Sequence, residues 1–570
     1  MPRNWPPLFW TGLWILVMAT ALATRPLLPV DETRYLAVAW DMWLEGNWLV
    51  PHLNGEPYSH KPPLLFWLIN LGWSVFGVND WWPRLVAPMC GLASLFLTHR
   101  LARESWPGTI GDSLAPAAPL VLFGGLFWAL FTTLTMFDMM LTLFTLVALL
   151  GVARAWRRGG QGDGQGDGQG GGQGGSWSGF ALMGLGIGFG VLTKGPAILL
   201  HTLPVALLAP WWGPFLATAG GRQTPGWGRW YAGVFGAVIL GAAIGLAWAV
   251  PAGLAGGEAY REAIFWGQSA GRIVSSFAHR QPWWWYGAVL PVLLLPWVLW
   301  PPAWRASWRA VLGARQGPVD GGVRFCISWF VPAVLVFSFI SGKQPHYLLP
   351  ELPAAALVLA RLLFADASSA DASSKGRPVL DQALPALLAV GAGAALFTLA
   401  SWPFPGTPPT WLDLVETGWG LALAAAGLGF LFCGRFSLSG RIQAMAGLSA
   451  VFVVAAHLGL RPVLAAVYDL RPVASRLAGW ERQGVPLANF GKYHGQYHFL
   501  GRLTKPIAEI GLVARDTRTF LKDHPKGLIV AYHETLPRAA KPVAVYRFRN
   551  RWIAIWDAET VIRIPNIAER

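Results

Sequence analysis

Ionisable residues are scarce in this sequence, and those whose types suit chemistry gather in a few short stretches. Asp31-Glu32-Thr33-Arg34-Tyr35 is closely followed by Tyr58-Ser59-His60-Lys61-Pro62-Pro63. Asp138 heads a long apolar run, Lys194 stands between two others, and Arg272, His279 and Arg280 share the polar stretch before Trp285. Lys343-Gln344-Pro345-His346-Tyr347 separates a further pair of apolar runs. Carboxylates and cations collected at one face of a membrane suit the handling of a phosphate or diphosphate head group whose lipid tail stays in the bilayer. The cations bind the phosphate and stabilise it as a leaving group, while a carboxylate takes a proton from the incoming nucleophile. Charges near the bilayer are costly to desolvate, which makes each of them a functional candidate.

Plainer roles stand beside these. Asp31 suits the cap of an amphipathic helix over 34–44, and Asp138 a cap or a hydrogen bond inside a helix bundle. Lys61 and Lys343 suit snorkelling to the interface, and Lys194 and Arg272 suit contact with lipid head groups. His494 and His498 are four apart and share a helical face, but no third metal ligand accompanies them.

The elements that must position these groups follow from composition. Of 570 residues, 54% are hydrophobic and 13% charged, where a soluble protein carries about 25% charged residues. Apolar runs that fit a bilayer recur along the chain, which excludes a single water-soluble globule. We count about thirteen spans: 8–23, 82–101, 114–131, 132–155, 177–192, 196–211, 230–250, 285–300, 325–340, 347–364, 383–400, 411–432 and 442–460. The first lacks a small-residue cleavage site and reads as an anchor, with the N-terminus in the cytoplasm. Alternate loops then carry Arg100 and Arg103, Arg154, Arg157 and Arg158, Arg222 and Arg229, Arg305, Arg309 and Arg315, Lys375 and Arg377, and Arg435 and Arg441. That bias marks them as cytoplasmic. The net charge of +15 is therefore a matter of topology, and no nucleic-acid partner is implied. The three cysteines have no paired spacing.

Residues 1–467 form the transmembrane domain, with a first outer loop over 29–81 and a flexible Gly/Gln-rich cytoplasmic loop over 159–175. Beyond it, 468–570 reads as a small outer α/β domain, because 528–532, 543–547 and 552–556 are rich in Val, Ile and aromatics and 517–522 looks helical.

These motifs, in this order, resemble the bacterial lipid A aminoarabinose transferase family, within the protein O-mannosyltransferase-like membrane glycosyltransferases. The resemblance rests on Asp31 to Tyr35, on Leu53-Asn54-Gly55-Glu56-Pro57-Tyr58 leading to Lys61-Pro62-Pro63, and on Trp82-Pro83-Arg84. Thr193-Lys194-Gly195-Pro196, Arg280-Gln281-Pro282-Trp283-Trp284 and Lys343 to Pro350 reinforce it. It implies an α-helical polytopic GT-C bundle with two interfacial helices in the first outer loop and a cavity opening to the periplasm of a bacterial inner membrane. It also implies an undecaprenyl-phosphate-linked sugar as donor. By the same resemblance, Asp31 and Asp138 are the catalytic carboxylates. The substrate contacts are Glu32, Arg34, Tyr35, Tyr58, His60, Lys61, Lys194, Arg272, His279, Arg280, Lys343, His346 and Tyr347. Members often carry an acidic residue where this chain has His60, so a divalent metal held by Asp31 and His60 is an open possibility.

The leading expectation is transfer of 4-amino-4-deoxy-L-arabinose from undecaprenyl phosphate to a lipid A phosphate or related envelope acceptor. A same-fold enzyme acting on protein or another glycan is the nearest rival. A lipid-linked-sugar transporter would also need outer-face cations, but transporters often show internal repeats and broken midplane helices, and the sequence shows neither.

Overall fold

The computed structural model describes residues 5–159, 177–216, 226–267, 280–314, 319–369, 378–402, 409, 411–511 and 514–568. Arg272 and His279 lie outside them. Among the described residues, ten helices are long and apolar enough to cross a membrane. Those used below are α1 (Trp5–Thr24), α4 (Pro83–Ser105), α5 (Phe137–Gly159), α6 (Trp177–Lys194) and α8 (Trp227–Ala255). Between α1 and α4 come two helices too polar or too short to span, α2 (Asp31–Glu45) and α3 (Leu64–Phe76). A single 3-10 turn, Gly195–Ala197, links α6 to α7 (Ile198–Leu207).

Of the thirteen expected spans, 177–192 and 196–211 fall within one apolar run, Trp177–Leu207, and 114–131 and 285–300 are absent from the ten. Residues 114–131 split at Gly124-Gly125 into Ala118–Phe123 and Leu126–Phe131. Residues 196–211 split near Leu208, after Pro204, and 285–300 stop at Leu293, short of Pro296. Proline has no N–H to donate to the carbonyl four residues earlier, a break to which average hydropathy is blind. Small residues decide the closest helix pair: a Cβ at Gly186 would lie 2.6 Å from the Ala148 amide, and one at Gly151 2.5 Å from that of Met183. Only glycine lets α5 and α6 approach so closely.

The C-terminal segment folds as expected around a five-stranded sheet of order β4-β3-β5-β7-β6. Its strands are β3 (Leu487–Phe490), β4 (Ala508–Ile510), β5 (Leu528–His533), β6 (Ala544–Phe548) and β7 (Arg551–Asp557). The first three pair in parallel, and β7 joins β5 and β6 antiparallel. Alternation sends Leu528 and Val530 to one face, with Val473 and Leu477 of helix Arg471–Arg482, and Ile529 and Ala531 to the other, with Val561.

This domain is fastened to the surface helices. Trp40 Nε1 donates to the Leu503 carbonyl at 2.8 Å, and Asn54 exchanges two hydrogen bonds with the Ile507 backbone at 2.9 and 2.8 Å. Arg502 pairs with Asp80 at 2.9 Å, and Trp73 stacks on Phe499 with centroids 5.1 Å apart. Asn54 sits in the turn between β1 (His52–Leu53) and β2 (Glu56–Pro57), and its amide donates to the buried Asp41 of α2 at 2.7 Å.

Burial pushes the Asp41 carboxyl up to about 7, against the N–H groups of Asn54 and Gly55 and with Glu45 adding to the rise. An unfolded aspartate titrates near about 3.9, so folding favours the protonated form. That stabilisation is complete below the unfolded value and is lost as pH rises through about 7. Thermal unfolding in detergent from pH 5 to 8 should show wild type losing stability with rising pH relative to Asp41→Asn. Parallel profiles would refute the assignment.

Candidate functional site

Asp138 lies in the first turn of α5 and Lys194 in the last turn of α6, so the close packing of these two helices brings them together. Lys194 Nζ donates to Asp138 Oδ1 at 2.6 Å, with the carboxylate side chain only 3% exposed. The same ammonium stands 4.4 Å from the centroid of the Tyr347 ring, a cation–π contact. His346 packs edge-on to Tyr347 and stacks on Phe131, and Lys61 sits 5.6 Å over Phe137. The ammonium groups of Lys194 and Lys61 and the His346 imidazole are the basic groups acting on Asp138. Three separate segments therefore bring their basic residues around one buried carboxylate.

Asp31 begins α2 and is half exposed, paired with Arg34 one turn on. The Tyr35 hydroxyl reaches to 3.5 Å of it, while the Tyr35 ring is buried edge-on against Phe137 at 4.9 Å. Tyr58 is buried and stacks on the exposed His60 with centroids 5.4 Å apart. Phe137, the neighbour of Asp138, thus touches both Tyr35 of the Asp31 group and Lys61 of the Asp138 group.

A cavity of about 340 Å³ opens beside these residues. Ser59, His60, Lys61 and Lys194 line one part of it, and Ile187, Val191, Leu199, Val238, Ala242 and Leu246, from α6, α7 and α8, line the rest. It joins two ammonium groups to an apolar trough.

Two expected substrate contacts have other duties. Glu32 is buried, and its carboxylate is fully used: Arg25 grips both oxygens, the Leu28 amide donates at 2.7 Å and the Thr135 amide at 2.8 Å. It knits α1, α2 and the approach to α5 together. Arg25, which also donates to the carbonyls of Pro26 at 3.2 Å and Thr133 at 2.8 Å, had not stood out in the sequence. Lys343 is also buried, donating to the carbonyls of Gln281 and Ile340 at 2.7 Å each. With the isolated bridge between Arg280 and Gly342, it holds residues 280–282 against 340–343. Arg280 itself is exposed. Arg84 of the Trp-Pro-Arg motif likewise donates to the carbonyls of Ala21, Leu22 and Arg25.

Asp31 and His60 do not form a metal site with a third ligand among the described residues, where no three His, Cys, Asp or Glu side chains converge. Asp31 is engaged by Arg34 and His60 lies against Tyr58, so no step is routed through a metal. Sequence reading missed the buried pair of His201 on α7 and Glu351, 2.5 Å apart. It ties the 3-10 segment carrying His346 and Tyr347 to the helix that follows Lys194.

The bundle, its two surface helices and a charged cavity mouth define the GT-C class of membrane proteins. A solved structure of ArnT from Cupriavidus metallidurans, bound to undecaprenyl phosphate, superposes with a TM-score of 0.71 over 97% of this chain and 98% of that one, at 19% identity. Its apo form gives 0.73 over 97% of each, at 18%. A family model described as dolichyl-phosphate-mannose-protein mannosyltransferase matches residues 60–168. Among curated relatives, an undecaprenyl phosphate-alpha-4-amino-4-deoxy-L-arabinose arabinosyl transferase of Pseudomonas paraeruginosa is 31% identical over 390 residues, 68% of this chain and 64% of the relative. One of Pseudomonas aeruginosa is 31% identical over 356 residues, 62% of this chain and 58% of the relative. The chain is thus similar to this arabinosyl transferase family over about two thirds of its own length. The matches span less than two thirds of these two relatives' length.

Proposed function

We propose that this protein is a membrane glycosyltransferase that moves 4-amino-4-deoxy-L-arabinose from undecaprenyl phosphate to a phosphate of lipid A. The observation that carries the reading is the cavity, whose lining includes Lys61 and Lys194 and is otherwise largely apolar. A phosphate fits between the two ammonium groups, and an isoprenoid chain fits the trough along α6 and α8. The bond between the sugar's anomeric carbon and the donor phosphate oxygen breaks as an acceptor oxygen attacks that carbon. Undecaprenyl phosphate leaves with the bonding electron pair. Lys61 and Lys194 stabilise the charge it gains, the role of preorganised donors in group transfer. Asp138 holds Lys194 in place. Asp31, with Arg34, orients the acceptor and takes its proton when the acceptor is a hydroxyl. A phosphate acceptor is already ionised and needs no strong base. On this reading the chain sits in a bacterial inner membrane with the site and the C-terminal domain toward the periplasm. The run of Arg and Lys in the opposite loops supports that orientation.

The test is transfer in detergent from undecaprenyl-phosphate-linked aminoarabinose to lipid A. Lys61→Ala should lower turnover by about 10²-fold, and Asp31→Asn should be milder with lipid A than with a hydroxyl acceptor. Full activity in both variants removes the site. Donor translocation without any glycosylated product would replace the transferase by a transporter.

A further inference from the structure

The loop 491–497 of the C-terminal domain lies on α2 beside Asp31, and nothing in the reading above uses it. Gly495 has φ +72, and a Cβ there would fall 2.5 Å from Leu53 and 2.9 Å from Ala37. Ala37 is one turn beyond Arg34, so the loop is seated on the helix that carries Arg34 and Asp31. Its backbone is locked from within. The Gly491 amide donates to the Ile510 carbonyl at 2.7 Å, and the His494 amide to the Gln496 side chain at 3.0 Å. Gln496 in turn donates to the Tyr532 hydroxyl at 2.8 Å, and Tyr493 bonds His498 at 2.8 Å. Tyr493, Gln496, Tyr497 and His498 turn inward and are buried, while Lys492 is exposed and His494 partly so.

We infer that Lys492 and His494 form, with Arg34, a subsite for the phosphate of the acceptor, supplied by the C-terminal domain across its seam with α2. This rests on the transferase reading and adds to it which groups receive the acceptor. Three observations support it. The charged groups that act on the His494 ring are Arg34, Lys492 and Asp31, so two cations and an imidazole meet beside the half-exposed carboxylate. That set suits a phosphomonoester, which accepts several charge-assisted hydrogen bonds. Its cations differ from those around Asp138, Lys61 and Lys194, so each phosphate has cations of its own. Asp31 acts on both His346 and His494. Finally, the bonds from Trp40 and Asn54 hold the domain in place without the loop's own side chains.

Burial, then Arg34 and Lys492, hold the His494 imidazole below its ordinary range, against Asp31. It is neutral before the acceptor arrives, and a phosphate dianion beside it favours the charged form. Acceptor binding therefore takes up a proton at His494.

The test uses the full-length protein in detergent, with phosphorylated lipid A, the same lipid stripped of phosphate, and undecaprenyl phosphate as separate probes. Wild type should prefer the phosphorylated lipid. Lys492→Ala and His494→Gln should each weaken that binding about tenfold, with undecaprenyl phosphate affinity and melting temperature unchanged. In turnover, the acceptor KM should rise with kcat and donor KM retained, and His494→Gln should flatten the acid limb of the acceptor KM profile. Variants within twofold of wild type for the acceptor overturn the subsite, as does a parallel loss of donor and acceptor. Lys492-dependent binding without transfer to lipid A would sink the function and leave the subsite standing. Transfer that ignores both variants would do the reverse.

Discussion

Lys194→Ala should remove transfer and weaken the bundle in one substitution. Its ammonium serves both the cavity mouth and the buried Asp138 carboxylate. Breaking a buried ion pair by removing one partner costs about 3–5 kcal/mol, because the charge left behind has no compensation. Lys61 and His346 also act on Asp138, so the lower end of that range applies. Loss of a group that stabilises the leaving phosphate costs a further ~10²–10³ in turnover. The double variant Lys194→Ala, Asp138→Asn separates the two effects: the carboxylate no longer needs a cation, so stability should return while transfer stays lost. Thermal unfolding and turnover measured on the same preparations check this. A single variant as stable as wild type would refute the pairing.

Glu32→Ala should have the largest effect on stability and Asp31→Ala almost none, although the two residues are adjacent. Removing Glu32 leaves the buried Arg25 guanidinium and the Leu28 and Thr135 amides without their shared acceptor. The expected loss is about 3–5 kcal/mol, seen as a lower unfolding midpoint in detergent. Asp31 is half exposed and its pair with Arg34 is screened, which limits its contribution to about 1 kcal/mol or less. Asp31→Ala should instead depress transfer at nearly wild-type stability. If Glu32→Ala melts like wild type and loses only transfer, Glu32 touches substrate and the knot at Arg25 is incidental.

That contrast shows what the sequence could and could not reveal. Charges stranded in an apolar chain are conspicuous because the bilayer penalises them, and so Asp31, Lys61, Asp138 and Lys194 stood out as candidates. Their division of labour was not. Glu32 and Lys343 are the same residue types in the same motifs, and only the partners that fold against them, Arg25 and two backbone carbonyls, reveal their structural roles. Long spans were visible in hydropathy, whereas the breaks near Gly124, Leu208 and Leu293 depend on local backbone geometry. In the C-terminal domain, β5, β6 and β7 stood out by their Val, Ile and aromatic content. The short β3 and β4 did not, and the seating of Gly495 on Ala37 joins residues too distant in sequence for any local pattern to link.

The central claim is that Lys61 and Lys194 receive a polyprenyl phosphate. Determining the structure of the protein with undecaprenyl phosphate bound tests it most directly. The account predicts the phosphate within hydrogen-bonding distance of both ammonium groups, with the isoprenoid chain running past Val191 and Val238. A phosphate seated instead at Arg280 and Lys343, with Lys61 and Lys194 unengaged, would contradict it.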